Sequence, residues 1–84
     1  MVEKEQVEAA AVKAGHQEPL VLSLLPGMFV LCLPSDGMPW FVSISTGTLD
    51  VSVDAMAEAI KNACTQAIQD HKQEAVVHFR QGAE

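Results

Sequence analysis

Three histidines, two cysteines and one cluster of hydroxyl groups are the side chains of this 84-residue chain best suited to chemistry. Cys64 and His71 are seven apart, which on a helix puts them two turns apart on one face. That pair is half of a metal site at most. A structural zinc needs four ligands, usually delivered as close pairs, and the sequence has no CxxC or HxxxH spacing. His16 follows Gly15 and reads as a loop residue. His78 alternates with Val77 and Phe79 and reads as an outward strand residue. Ser43, Ser45, Thr46 and Thr48 gather around Gly47, and backbone N–H groups there could face an anion. The lysine of a phosphate loop is missing, as are the GxSxG and SxxK arrangements that activate a serine. The carboxylates Glu3, Glu5, Glu8, Asp50 and Asp54 fall in solvated segments and read as charges at helix starts, not as a buried acid–base pair. The expectation is a protein with no catalytic, cofactor-binding or metal-ligating residues.

The totals narrow the classes further. Eleven carboxylates face five scattered cations, for a net charge of −6. Nucleic-acid binding rests on a basic patch that releases counterions, so direct DNA or RNA binding is disfavoured, and an anionic membrane surface would repel the chain. Apolar residues make up 49% and charged residues 19%, a balance that favours an ordered core over disorder. Residues 1–84 are read as one domain, with a loose tail at 81–84. Cys32 and Cys64 lie within apolar patterns and behave as small hydrophobes, which favours a reducing, cytoplasmic setting. A bridge between them is the less favoured alternative. The acidic start MVEKEQVEAA does not resemble a signal peptide. The run Leu20–Leu33 is 14 residues long and split by Pro26-Gly27, against roughly 20 needed to span a bilayer.

The elements that would position these residues can be read in order. Residues 3–14 are rich in Ala, Glu, Gln and Lys and predict a helix. Val7, Ala10, Ala11 and Ala14 form a narrow, weakly gripping stripe on a helix that ends at Gly15 as the C′ residue, so residues 1–18 are expected to be the mobile part. Strands are expected at Leu20–Leu25, Met28–Leu33 and Trp40–Ser45. Pro26-Gly27 predicts a type II turn and Pro34-Ser35-Asp36-Gly37 a hairpin turn. From about Asp54 to Asp70 or His71, the residues Met56, Ala59, Ile60, Ala63, Cys64, Ala67, Ile68 and His71 recur at helical spacing. Asp54 is the expected N-cap, with Asp50 and Ser52 as alternatives. Ala75–Arg80 reads as a last strand. The fold class is therefore α+β: a small, mainly antiparallel sheet of three to four strands in the order α-β-β-β-α-β, with one principal amphipathic helix packed on one face.

Alternation sets the two faces of the sheet apart. Trp40, Val42 and Ile44 point one way, while Phe41, Ser43 and Ser45 point the other. The second strand is apolar on both sides, with Met28, Val30 and Cys32 opposed to Phe29, Leu31 and Leu33. One helix cannot cover a whole sheet, which leaves apolar strand surface in need of a partner. A homodimer is the simplest relief; a monomer closed by the N-terminal helix crossing to the second face is the alternative. Candidate interface residues are Phe29, Leu31, Leu33 and Trp40, with the acidic Glu3, Glu5 and Glu8.

The stretch WFVSIS…VDAMAEAI…AVVHFR is similar in pattern to the β-α-β half of the small acidic DNA-damage-inducible bacterial regulators. The likeness is one of alternation plus an amphipathic helix, and it carries no residue or function across. The function expected is that of a small acidic, non-catalytic interaction or regulatory protein, prokaryotic or phage-borne in style. Two further readings are a nucleic-acid mimic that blocks a DNA- or RNA-binding partner, and a small enzyme whose site forms between subunits from His71, Cys64 and the STGT loop.

Overall fold

The computed structural model describes residues 1–33 and 39–79. Two helices and four strands follow one another as α1 (Lys4–Lys13), β1 (Leu20–Leu25), β2 (Met28–Cys32), β3 (Phe41–Ser45), α2 (Val53–Gln69) and β4 (Glu74–His78). This is the expected α-β-β-β-α-β order. The sheet runs β1-β2-β3-β4 in space. The first three strands form an antiparallel meander. β4 lies parallel to β3, because α2 carries the chain back along the sheet before β4 begins. The hairpin turn expected at 34–37 and the end of the last strand at Arg80 fall outside the described residues.

Local chemistry sets the element ends. In α1, the Gln6 side chain accepts a hydrogen bond from the Glu3 backbone N–H. Its C-terminus closes with two tightening bonds, Gly15 N–H to the Val12 carbonyl and His16 N–H to the Ala11 carbonyl. Gly15 takes φ +104, a left-handed value that suits a residue without Cβ. At the start of α2 the cap is Ser52, whose hydroxyl accepts from the Ala55 N–H at 3.1 Å. Asp54, the expected cap, sits instead in the first turn, where a carboxylate suits the helix dipole. There it pairs with Lys13. The C-terminus of α2 repeats the pattern of α1, with His71 N–H bonded to the Ile68 carbonyl and Lys72 N–H to the Ala67 carbonyl. Here the left-handed position is filled by His71, at φ 55. That conformation takes His71 off the apolar stripe on which the sequence places it, and the residue is exposed.

The corner between β1 and β2 is a two-residue turn at Pro26-Gly27, with Gly27 at φ +77 and Leu25 paired to Met28. A type II corner does not match strand twist. A register shift between Ser23 and Leu25 takes up the mismatch, and β1 runs unbroken to the turn. Gly27 also touches the end of β3: its carbonyl accepts from the Thr46 N–H at 2.8 Å, and a Cβ on Gly27 would lie 2.2 Å from the Gly47 carbonyl oxygen.

Both helices pack on the same face of the sheet. α1 rests on α2 and β1, and α2 rests on β4. Val7, Ala10 and Ala11 of α1 are fully buried, because alanine lets two helix backbones approach closely. The stripe that looks weak in sequence is thus a helix–helix seam. Under the helices lie Val21, Leu31, Val42 and Ile44 from the sheet and Met56 and Ile60 from α2, all almost wholly buried. Each such side chain contributes on the order of 1.5–3 kcal/mol by leaving water.

Candidate functional site

The residues singled out in sequence land in three different places. Phe29 and Leu31 are 4% and 0% exposed, and Leu33 is also buried. They form the floor beneath the helices, so they are not available as an interface. The register gives the reason. Phe29 pairs with Ile44 and Leu31 with Val42, and paired residues share a face. Since β3 is wholly apolar on the Val42–Ile44 side and carries Ser43 and Ser45 beside Phe41 on the other, the Val42–Ile44 side takes the helices and draws Phe29 and Leu31 with it. Trp40, just ahead of β3, is 44% exposed. Glu3 and Glu5 are exposed and Glu8 half-buried at the start of α1, away from the uncovered side of the sheet.

That uncovered side is built from the complementary residues, in three rows set by the register. The first row is Leu20, Cys32, Phe41 and Glu74. The middle row is Leu22, Val30, Ser43 and Val76. The third row is Leu25, Met28, Ser45 and His78. Leu20, Leu22, Leu25, Met28, Phe41 and Val76 are all exposed large apolar side chains, Val76 the most at 67%. Neither α1 nor α2 lies over them. The two ionisable groups of the rows besides Cys32 both stand on β4, at opposite ends of the strand. Between them Ser43 donates a hydrogen bond to the Glu74 carboxylate at 3.3 Å, holding it over the sheet. Long apolar side chains on an exposed sheet face are what a soluble monomer usually avoids.

The potentially reactive groups are arranged otherwise. Cys64 meets His16, not His71: Sγ and Nε2 are 3.9 Å apart. The cap of α1 brings this about, because the tight turn at Gly15 folds His16 back over the helix pair. Burial pushes the Cys64 thiol up and the His16 imidazole down. Both shifts favour the neutral forms, the reverse of the thiolate–imidazolium pairing that activates a cysteine nucleophile. Nothing in the sequence spacing signals this contact, because 48 residues separate the two. Cys32 and Cys64 are both free thiols, one on the open face and one on the α2 side of the sheet. In the STGT segment, Thr46 is fully buried and its hydroxyl faces the Gly27 carbonyl at 3.5 Å, so it serves the β1–β2 corner. Among the described residues no three His, Cys, Asp or Glu side chains converge on a metal-sized site. Nor is any helix there long and apolar enough to cross a membrane. One shallow groove runs between α2 and β4, past Ala63, Ala67, Asp70 and Glu74. A second lies between the N-terminus and the β1–β2 corner. Neither is lined by a histidine or a cysteine.

No protein-family model matches the chain, and neither a curated protein nor a solved structure matches it.

Proposed function

We propose that this chain is a small acidic, non-catalytic protein that acts by binding another protein surface, and that the uncovered sheet face is where it binds. One observation carries the reading: the face joins Leu20, Leu22, Met28, Phe41 and Val76 into one exposed apolar area, with the carboxylate of Glu74 and the imidazole of His78 kept to β4. Apolar area of this kind gains free energy when it leaves water, and an interface with an apolar centre and polar groups at its margin is the usual anatomy of a protein contact. The two free thiols support a reducing compartment. Burial that disfavours the charged forms of both Cys64 and His16 supports the non-catalytic reading.

The test is the native mass of the tagged, full-length chain in an extract of the cells it comes from. The chain itself weighs 9.0 kDa. The wild type is expected to run well above that mass, and Val76→Glu, which puts a carboxylate in the middle of the face, is expected to run as a free chain. A wild type that runs as a lone chain in extract, or a Val76→Glu variant that keeps the full assembly, would sink the reading. Val76 is solvent-exposed, so the substitution leaves the core untouched.

A further inference from the structure

We infer that the protein seated on the open face is a second copy of this chain, packed face to face about a two-fold axis that crosses the strands over the middle row. The inference rests on the reading of that face as a protein-binding surface. Two observations carry it: the size of the face and the placing of its charges.

Size comes first. Four strands of about five residues make a plan of roughly 20 by 17 Å. With side chains standing on it, such a face offers on the order of 600 Å² to solvent, so two copies would bury on the order of 1,200 Å², above the roughly 1,000 Å² that a stable interface needs. Two sheets meeting this way keep their strands within about 30° of alignment, separated by one double layer of side chains.

Charge decides the arrangement. A closed pair of identical faces has its axis in the plane between the sheets, either along the strands or across them. An axis along the strands lays β1 of one copy over β4 of the other, which sets Glu74 against Leu20 and leaves a carboxylate facing leucine. An axis across the strands lays each strand over its own counterpart and exchanges the first and third rows. Glu74 then faces the second copy's His78, twice per dimer, and an imidazole N–H can donate to the carboxylate. On the middle row Val76 meets Val76. The face is complementary to itself only in this second arrangement. The two Glu–His contacts lie at the β4 margin, where charge sets register and excludes wrong alignments more than it adds affinity.

Sedimentation equilibrium of the purified full chain tests this. The wild type is expected to be a dimer at tens of micromolar. His78→Glu sets carboxylate against carboxylate at both contacts along the β4 margin and is expected to weaken the dimer at least ten-fold. The double variant Glu74→Lys/His78→Glu places lysine opposite glutamate and is expected to recover the wild-type constant within about three-fold. Both positions are exposed strand sites, and far-UV circular dichroism checks that each variant is folded. A purified wild type that stays monomeric at 100 µM or so overturns the second copy as occupant, while a heavy assembly in extract would leave the protein-binding reading intact. A dimer unaffected by His78→Glu, or not recovered by the double variant, overturns the cross-strand arrangement.

Discussion

At the scale of single residues, two left-handed positions carry different burdens. Gly27 is held at φ +77 with the Gly47 carbonyl where its Cβ would be, and the same corner receives the Thr46 N–H. Gly27→Ala must both strain the backbone and push a neighbouring backbone away. We expect it to cost about 2–4 kcal/mol of stability, read from urea unfolding midpoints, as the sum of a left-handed penalty and local overpacking. His71 occupies the corresponding left-handed place after α2 with a full side chain and no burial. His71→Gly relieves that strain, and we expect a gain of about 0.5–1 kcal/mol after allowing for the looser unfolded chain. Pro26-Gly27 is readable in the sequence as a turn, because both residues are local conformational signals. The contact with Gly47 is not readable, because it joins residues 20 apart whose meeting depends on the β2–β3 pairing.

At the scale of elements, the pairing of α1 with α2 ties a titrating group to folding. His16 is held over the helix seam at 3.9 Å from Cys64, and burial lowers its pKa from the ordinary 6.5. The unfolded chain therefore takes up a proton there before the folded chain does. The stability this contributes is fully present above pH 6.5 and is lost as the pH falls through the lower folded value. Urea titrations of wild type and His16→Gln at about pH 7.5 and about pH 5.5 should show the wild type losing more stability on acidification than the variant; equal losses would remove His16 from the account. The elements themselves were legible. Period-two and period-3.6 patterns mark the four strands and α2, and Ala, Glu and Lys content marks α1. What periodicity left open was the pairing. β2 is apolar on both sides, so its own residues do not say which set goes inward. The choice belongs to β3, whose Ser43 and Ser45 exclude one face. A one-residue slip in register would have reversed the answer, and for that reason Phe29, Leu31 and Leu33 read as an interface in sequence and stand in the core.

At the scale of the whole molecule, the count of cover against sheet was legible and its geometry was not. Two helices side by side suffice for one face of four strands, and among the described residues no helix is left for the other. The sequence supports that sum from composition alone. It does not say that α1 would join α2 on the same side, because an alanine stripe gives little indication of which surface it will meet. The proposed binding mode also separates by salt from the alternative of phosphate mimicry. An assembly driven by burial of Leu22, Phe41 and Val76 should keep its mass when the ionic strength rises to about 0.5 M, where the Debye length is only a few ångströms. Contacts made by Glu3, Glu5 and Glu8 on a basic partner should dissolve under the same conditions.

The parallel partnership of β3 with β4 has a consequence during folding. The meander β1–β2–β3 can pair through short connections, whereas the strand that covers its β3 edge must wait for α2 to carry it back along the sheet. For that interval the β3 flank offers bare backbone donors and acceptors next to an already greasy surface, the combination that recruits stray chains. The folding chain is at its stickiest just before β4 docks, and the speed at which α2 coils decides how long that window stays open.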